Sequence, residues 1–565
     1  MRTKGLFYII LLVACSCTGN TELSVTEGHH IVSDHGMVVS AHPQGSKSGI
    51  RIMQEGGNAI DAAVATGFAL AVCYPEAGNL GGGGFMVVRM SDGTTDVIDF
   101  REKAPAGASR NMYLSEDGSV VEGLSTETHL AAGVPGTVDG LIKIHSKYGK
   151  LSFRKVIQPA IDLARNGYSL TAEQAKGLNE NREYFISKNR NKPAFVSDTE
   201  WKEGDLVKQP DLAETLERIR DSGREGFYSG KTAELIIREM QRGNGLITAK
   251  DLNDYESVFR KPLVTEYKGY RLITVPPPSG GGIILFQILG MTEPFPLNEW
   301  GFHSVKSIHL IAEAERRAFA DRAQFSGDPD FVDVPVGALL DREYLVSRMN
   351  DFDEERTSLS SEIRAGSPGN YESEETTHFS VVDGYGNAAS VTTTLNNIYG
   401  SSIIADGAGF FLNNEMNDFS VKPGVPNMFG LTGGDANAIE PGKRMLSSMT
   451  PVIVEKDGKL FLVAGSPGGS TIPTTVYQVI INLIDYNMSI AQAVDTGRFH
   501  HQWLPDWISY EAESLDSLTI TRLKQIGYEL RPRTSIGRVN ALRILQDGRI
   551  AGAADRRGDN SACGY

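Results

Sequence analysis

A polar interruption constrains the fold of this chain more than any other feature of its sequence. Over residues 351–375, Asp, Glu, Ser, Gly and Pro dominate, and the apolar spacing that marks helices and strands is lost. Such a composition is typical of an exposed and mobile segment, which is either a linker or a processing site. We therefore expect two patterned blocks of unequal length, the second beginning at Thr376.

A β-hairpin is predicted directly after this interruption. Residues 377–382 and 388–395 have the composition of strands, and a turn containing Asp, Gly and Asn lies between them. Pairing Val382 with Ala388 places Thr394 directly across from Thr376. Threonines that face each other across two strands often only stabilise a sheet. At a candidate cut site, they also indicate a catalytic role for the two hydroxyl groups.

A threonine at a new N-terminus carries its own base. A Thr hydroxyl is a weak nucleophile unless a base lies within hydrogen-bond reach, and the α-amino group of the same residue meets that need. The unperturbed pKa of this amine is roughly 7.7–8.0, so part of it is neutral at ambient pH. One cleavage before Thr376 would therefore create both nucleophile and base.

The long N-terminal block shows mixed α and β patterns. Residues 58–73 form an Ala-rich apolar stretch suited to a buried helix, and apolar residues recur at helical spacing over residues 305–322. The glycines at 81–84 precede a strand-like run, and no Gly-Lys-Ser/Thr follows them, which excludes a phosphate-binding loop. We interpret most of this block as scaffold.

Bulk composition excludes some function classes. The formal net charge of −15 argues against a nucleic-acid partner, because such proteins concentrate Lys and Arg on one face. The 4 cysteines provide neither a disulfide framework nor a metal-type pair at the usual spacing. Stability must therefore come from a large apolar core.

The first residues, 1–15, are predicted to be a lipoprotein-type signal peptide. Arg2 and Lys4 supply positive charge, an apolar run follows over residues 6–14, and small residues lead into Cys15. The run is too short to span a bilayer. We expect lipidation at Cys15, which would make the protein exported, periplasmic and membrane-anchored; a simple secretory signal cleaved nearby is the alternative.

Several different short motifs are distributed along nearly the whole chain. In the second block they lie at residues 376–383, 393–396, 413–419, 444–451 and 465–470. In the first block they lie at residues 100–105, 133–136 and 277–282. Together these motifs resemble those of the γ-glutamyltranspeptidase family.

The resemblance implies an α+β fold, the αββα four-layer sandwich of N-terminal nucleophile hydrolases. One compact unit would consist of two autoproteolytic chains, a large subunit of residues 16–375 and a small catalytic subunit of residues 376–565, which would stay associated. Cleavage would separate Glu375 from Thr376. The implied mechanism requires no metal and no organic cofactor.

The resemblance also implies a reaction. Thr376 would attack the γ-amide carbon of glutathione or a related γ-glutamyl compound, and water or an amino-acid or peptide acceptor would then release the γ-glutamyl ester. Thr394 would orient the attacking hydroxyl. The backbone N–H groups of Gly468 and Gly469 would bind the substrate and stabilise the developing oxyanion.

The non-reacting end of such a substrate carries an α-carboxylate and an α-ammonium group, so the site needs both signs of charge. A guanidinium suits the carboxylate because its planar donors grip both oxygens. The family's carboxylate-binding positions match Arg101, Ser447 and Ser448. The ammonium-binding positions match Asn396, Glu415 and Asp418.

A glycine-rich segment over residues 423–441 matches a lid loop of the family. Bacterial relatives commonly have tyrosine where this chain has Phe429, so we expect this ring to shield the substrate by packing alone. Two enzyme alternatives share Thr376 but differ in the pocket, a cephalosporin-acylase-like relative and a poly-γ-glutamate-acting relative. A non-enzyme alternative is an uncleaved peptide-binding lipoprotein.

Overall fold

Two large antiparallel sheets form the centre of the protein, which a computed structural model describes for residues 24–364 and 376–565. The strands of the larger sheet are, in spatial order, Thr26–Gly28, Ser561–Gly564, Gly36–Ser40, Thr377–Asp383, Ala388–Thr394, Gly83–Arg89, Thr95–Asp99 and Val258–Arg260. Those of the smaller sheet are His30–Ser33, Ile550–Ala554, Asn540–Ile544, Lys459–Ala464, Val452–Lys456, Tyr270–Thr274 and Leu263–Tyr267. Minor sheets pair Tyr168–Ser169 with Leu206–Val207, and Phe499–His500 and Leu530–Arg533 with Ile508–Glu511. Each large sheet contains strands from both blocks, so the blocks fold as one unit.

Alternating side chains give each strand two apolar faces. In strand Gly83–Arg89, Met86 and Val88 pack among the outer helices, whereas Phe85 and Val87 point into the space between the sheets. Residues from both sheets fill that space, for example Val39, Val382, Ile453, Val463 and Leu542. The sheets therefore face each other across a continuous apolar layer.

Helices cover the outer face of each sheet. Those beside the larger sheet are Pro43–Gln54, Ala59–Cys73, Thr137–Tyr148, Phe153–Asn166, Ala172–Glu180, Arg182–Lys188, Pro210–Ser222, Glu225–Tyr228, Gly230–Arg242 and Ala249–Asp254. Those beside the smaller sheet are Gly281–Thr292, Leu297–Trp300, Val305–Phe325, Val336–Leu339, Arg342–Arg348, Ile472–Ile484, Ile490–Asp495 and Ser517–Gln525. The predicted αββα sandwich is confirmed.

The predicted buried helix in the first block is helix Ala59–Cys73, and every one of its residues is buried. Asn58 caps it by accepting from the Asp61 N–H at 3.0 Å, while the Asp61 carboxylate accepts from the Asn58 N–H. Across residues 24–364 and 376–565 we find no helix with both the length and the apolar character needed to cross a bilayer.

The polar interruption is less exposed than its composition predicts. Thr357, Ser360 and Ile363 are buried, so the expectation of an exposed segment is wrong at these positions. Thr357 donates to Glu313 at 3.0 Å, and the Ser360 carbonyl accepts from the Trp503 indole at 2.9 Å. Polar residues are buried here because the helix beneath them presents charged groups. Residues 365–375, which include Glu375, lie outside the described residues, as does Cys15.

Candidate active site

The predicted hairpin carries Thr376 into the centre of the larger sheet. Val382 pairs with Ala388 and Thr377 pairs with Thr393, which confirms the register expected from the sequence. Thr376 directly precedes the first strand and is only 4% exposed. The same register sets it opposite Thr394, and both threonines line one small pocket.

Thr394 is fixed by contacts with neighbouring loops. Its Oγ1 accepts from the Asn396 N–H at 2.7 Å, and its carbonyl accepts from the Asn79 side chain at 2.9 Å. Because Oγ1 accepts this N–H, its own hydrogen is directed elsewhere. Asn396 adopts a φ of +77°, in the left-handed region that Asn tolerates better than most residues.

The glycine turn borders the pocket on another side. Gly468 and Gly469 have φ values of +133° and +51°, which favour glycine. A Cβ on Gly469 would lie 2.6 Å from Cδ1 of Phe429, so no larger residue fits beneath that ring. Helix Ile472–Ile484 begins directly beyond the turn, and its positive end favours negative charge nearby.

A buried ion cluster forms the floor of the pocket. Nη1 of Arg101 lies 2.6 Å from Glu415 and 3.3 Å from Glu102. Its Nη2 donates to Asp418 at 2.5 Å. The Arg101, Glu102 and Glu415 side chains have no exposed surface, and Asp418 is 12% exposed. The predicted carboxylate-binding and ammonium-binding groups therefore contact each other directly.

Burial sets the protonation behaviour of this cluster. It disfavours charge on Arg101, yet the three facing carboxylates outweigh it and raise the pKa of the guanidinium. Burial, which Arg101 only partly offsets, raises the pKa of Glu415 well above its usual range and that of Glu102 to about 7. For the same reason the pKa of Asp418 is raised. The three carboxyl groups thus bind protons more readily than exposed carboxylates do.

Ser447 and Ser448 are held by the loop that precedes helix Gly281–Thr292. The Ser447 N–H donates to the Pro278 carbonyl at 2.9 Å, and its carbonyl accepts from the Gly280 N–H at 2.9 Å. Ser447 Oγ accepts from the Met449 N–H at 3.1 Å. Both serines line the same pocket as Thr376.

The predicted lid covers the pocket. Phe429 is only 5% exposed, and its carbonyl accepts from Gln502 at 3.1 Å. Asn427 donates to Asp418 at 3.1 Å and accepts from the Phe429 N–H at 2.9 Å. The lid is therefore tied to the ion cluster as well as to the glycine turn.

The structure brings most of the predicted site residues around one small pocket. Those on its lining are Arg101, Thr376, Thr394, Asn396, Asp418, Phe429, Ser447, Ser448 and Gly469. Glu415 lies behind Arg101, and Gly468 precedes Gly469 in the turn. Within the described part of the chain, no group of three or more His, Cys, Asp or Glu residues is arranged to hold a metal ion.

Sequence reasoning missed Arg322, Asn427 and Asn79. Arg322 lines the pocket from the last turn of helix Val305–Phe325. It follows Ala318 and Phe319 at spacings of four and three, which places an arginine on an apolar helix face. That mismatch is the signal that would have identified it. Asn427 and Asn79 act through loop contacts that have no periodic signature.

Comparisons with known proteins agree with this geometry. The family model described as gamma-glutamyltranspeptidase matches residues 45–565. The glutathione hydrolase proenzyme of Escherichia coli (strain K12) is 46% identical over 544 residues, covering 95% of this chain and 93% of the relative. These matches span both blocks and every motif used above.

Solved structures agree as well. The crystal structure of Helicobacter pylori gamma-glutamyltranspeptidase has a TM-score of 0.56 and 46% identity, covering 58% of this chain and 94% of that chain. Cephalosporin acylase from Bacillus halodurans has a TM-score of 0.81 over 98% of this chain and 99% of that chain, but at 23% identity it shows the fold alone. The chain therefore belongs to the γ-glutamyltranspeptidase family, a group of enzymes with the N-terminal nucleophile hydrolase fold.

Proposed function

We propose that this protein cuts itself between Glu375 and Thr376 and then transfers the γ-glutamyl group of glutathione and related compounds to water or to amine acceptors. The observation that carries the proposal is the shared pocket of Thr376, the ion cluster and the glycine turn. It combines a nucleophile, both signs of charge and preorganised backbone donors, which this reaction requires together.

Maturation begins with the Thr376 hydroxyl. Its Oγ attacks the carbonyl carbon of Glu375, the peptide C–N bond breaks, and the acyl group moves to oxygen while the nitrogen gains a proton. Water then hydrolyses the ester and leaves a free α-amino group on Thr376. The two chains remain associated because each large sheet contains strands from both sides of the cut.

In the first half of catalysis, the α-amine of Thr376 accepts the hydroxyl proton as Oγ attacks the γ-amide carbon. The N–H groups of Gly468 and Gly469 stabilise the oxyanion, and the positive end of helix Ile472–Ile484 adds to that field. The proton passes to the leaving amine as the C–N bond breaks. Water or an acceptor amine then attacks the resulting ester and regenerates the hydroxyl.

The ion cluster explains how a substrate with both charges binds in a buried pocket. The α-carboxylate joins Arg101, with hydroxyl donors from Ser447 and Ser448. The α-ammonium group joins Asp418 and Glu415, with the side-chain carbonyl of Asn396 as a further acceptor. These groups together surround both charged groups of the ligand. Because the ligand supplies equal and opposite charges, the net charge of the pocket is unchanged when it binds, which limits the desolvation cost.

The pocket favours this substrate class over that of the acylase-like alternative. Arg101 and Asp418 both lie on the lining of the pocket. Arg101 and Asp418 provide specific partners for the α-carboxylate and α-ammonium groups of a γ-glutamyl substrate, whereas an acyl chain without those groups could form neither contact. A poly-γ-glutamate-acting relative would need a longer groove, and a binding lipoprotein would need no nucleophile.

We also propose export and anchoring through a lipid on Cys15. The support is the charged start, the short apolar run and the small residues before the cysteine. Incorporation of radiolabelled palmitate in the producing bacterium tests the proposal, with Cys15→Ala as the matched variant. We expect label and membrane fractionation for the natural chain, and neither for the variant. Equal fractionation of the two would contradict anchoring.

The reaction is tested with the purified, incubated protein and a chromogenic γ-glutamyl anilide. We expect release of the aniline, faster release when glycylglycine is added as acceptor, and competition by glutathione. A glutaryl anilide, which lacks the α-ammonium and α-carboxylate groups, is the matched comparison and should react poorly. Preference for the glutaryl compound would favour the acylase-like alternative.

A further inference from the structure

Arg322 is a buried arginine of the pocket that takes no part in the reaction steps proposed for Thr376. It lies in the last turn of helix Val305–Phe325, is 5% exposed, and lines the pocket together with Thr376 and Ser448. Its stem packs beside Gly280, where a Cβ would lie 3.4 Å from Cγ of Arg322, an ordinary contact distance.

The two pocket arginines differ in how completely they are paired. Arg101 contacts three carboxyl groups. Among the described residues, Arg322 makes one hydrogen bond, from Nη2 to Ser448 Oγ at 3.4 Å, and its buried Nε has no hydrogen-bond partner. A guanidinium has five N–H donors, so most of the capacity of Arg322 is unused.

Arg322 nevertheless remains charged under ordinary conditions. Burial and the nearby Arg101 lower its pKa to about 10, while Asp418 raises it. The group is therefore protonated at neutral pH. A buried cation with so few contacts is costly unless a negative ligand completes its shell.

We infer that Arg322 is a second guanidinium for the α-carboxylate of the substrate, acting on it through Ser448 and through its own charge. Because Ser448 Oγ accepts from Arg322, its hydroxyl hydrogen is left to donate to the carboxylate. Arg101, engaged by Glu415 and Asp418, orients the ligand, whereas Arg322 supplies positive charge that no carboxylate contacts. This inference rests on the proposed γ-glutamyl function and adds a specificity-determining residue to it.

The position of Arg322 is also coupled to the lid. The carbonyl of Ala323, the next residue, accepts from the Gly434 N–H at 2.9 Å. A lid closed over the ligand therefore holds the helix turn that carries the guanidinium.

The test compares two substrates on the processed enzyme, a γ-glutamyl anilide and the same anilide with its α-carboxylate converted to a carboxamide. The measured quantity is the ratio of their kcat/KM values, which does not depend on the fraction of folded enzyme. Losing a charge-assisted contact should lower this ratio roughly 10- to 100-fold in Arg322→Met. The loss should come mainly from a higher KM for the carboxylate substrate. Arg322→Lys, which keeps the charge but not the fork, should recover part of the ratio.

A control on the same helix is Lys306→Met, which removes one exposed positive charge far from the pocket lining and should leave the ratio unchanged. In Ser448→Ala, adding Arg322→Met should lower the ratio less than it does in the natural chain, because the two residues act together. An unchanged ratio in Arg322→Met, with the γ-glutamyl anilide still hydrolysed, would overturn the inference alone. No hydrolysis of that anilide by the natural enzyme would overturn the proposed function and this inference with it.

Discussion

Two of the buried charge clusters in this protein differ in how many of their polar atoms have hydrogen-bond partners. In the scaffold cluster, around Glu313, Oε1 accepts from Arg316, Thr357 and Tyr528, and Oε2 accepts from Arg317 at 2.6 Å. In the pocket cluster, around Arg101, Glu102 Oε1 has no hydrogen-bond partner among the described residues, and neither has Arg322 Nε. The two clusters are therefore similarly buried, but they differ in how completely their polar atoms are hydrogen-bonded.

The pKa values follow this difference. Burial raises the pKa of Glu313, but its two arginines and the surrounding donors overcome that effect and lower it to about 2. In the pocket, burial prevails and the pKa values of Glu102, Glu415 and Asp418 are all raised. The cluster around Glu313, whose charges are paired within the protein, stabilises the fold. The cluster around Arg101 has polar atoms without partners, which remain available to a ligand that carries both charges.

The largest expected effect leaves both clusters intact and removes only the nucleophile. Thr376→Ala should give one uncut chain with no detectable anilide hydrolysis, because neither the attacking oxygen nor the new amine would form. Electrophoresis and a rate assay measure the two results. Thr377→Val is the matched control, since the buried Thr377 Oγ1 has no hydrogen-bond partner among the described residues. Cleavage in the alanine variant would contradict the assignment.

Replacing one arginine in each cluster tests whether the scaffold cluster serves stability and the pocket cluster serves binding. Arg317→Met should destabilise the fold by about 3–5 kcal/mol, because the buried Oε2 of Glu313 loses its charged partner, but should leave the KM of the folded fraction unchanged. Arg101→Met should raise KM about 100-fold or more through loss of the carboxylate partner. Denaturant unfolding and steady-state kinetics measure both. Equal effects of both variants on KM would remove the distinction between the clusters.

Substitution in the glycine turn should reduce activity about as strongly as substitution of the charged pocket residues. Gly469→Ala should lower kcat about 10²- to 10³-fold, because the new Cβ would displace either Phe429 or the oxyanion donor. Gly442→Ala is the control, since Gly442 also has a positive φ, of +78°, but a Cβ there meets nothing within 4 Å. It should cost stability from backbone strain without a comparable loss of kcat. Similar kcat losses in both would assign the effect to strain.

Acid should inactivate the enzyme before it opens the scaffold cluster. Asp418 must be ionised to bind the ammonium group, and its pKa is raised, so kcat/KM should fall at a pH above the usual aspartate range. The pKa of Glu313 is depressed, so the stability that it contributes is present above its unfolded pKa and is lost only as pH falls towards about 2. Parallel pH profiles of kcat/KM and unfolding check this order. Coincident profiles would contradict it.

The smallest expected effect concerns the lid. Phe429→Tyr adds one hydroxyl to a ring packed on Gly469, so it should change the ratio of transfer to hydrolysis by only a few-fold, through a new hydrogen bond near the ester. Product analysis with and without an acceptor dipeptide measures this ratio. An unchanged ratio would argue against any special role for Phe429 in partitioning the ester.

Local patterns predicted much of the fold. The hairpin register followed from the two-residue period of strands, and the Ala-rich stretch became helix Ala59–Cys73 with Asn58 as its cap. The polar composition of residues 351–364 misled because Thr357 and Ser360 satisfy buried charges on a distant helix. Composition reports local solvation preference and carries no information about such partners.

The sequence indicated which residues belong to the candidate site, but not which of them contact each other. The motif positions identified Arg101, Glu415 and Asp418, yet nothing in a single sequence indicates that residues more than 300 positions apart form one ion cluster. Arg322 was missed because helical periodicity measures apolar spacing and treats an arginine on that face as scaffold. Its role depends on which charges it does not contact, which only the packed structure reveals.

The most direct test of the account is intact mass and N-terminal sequencing of the purified protein after incubation. We expect two associated chains, the smaller beginning at Thr376, which appear together with anilide hydrolysis. A single uncut chain that hydrolyses the anilide, or an active chain cut at another residue, would contradict the central claim that Thr376 becomes the N-terminal nucleophile.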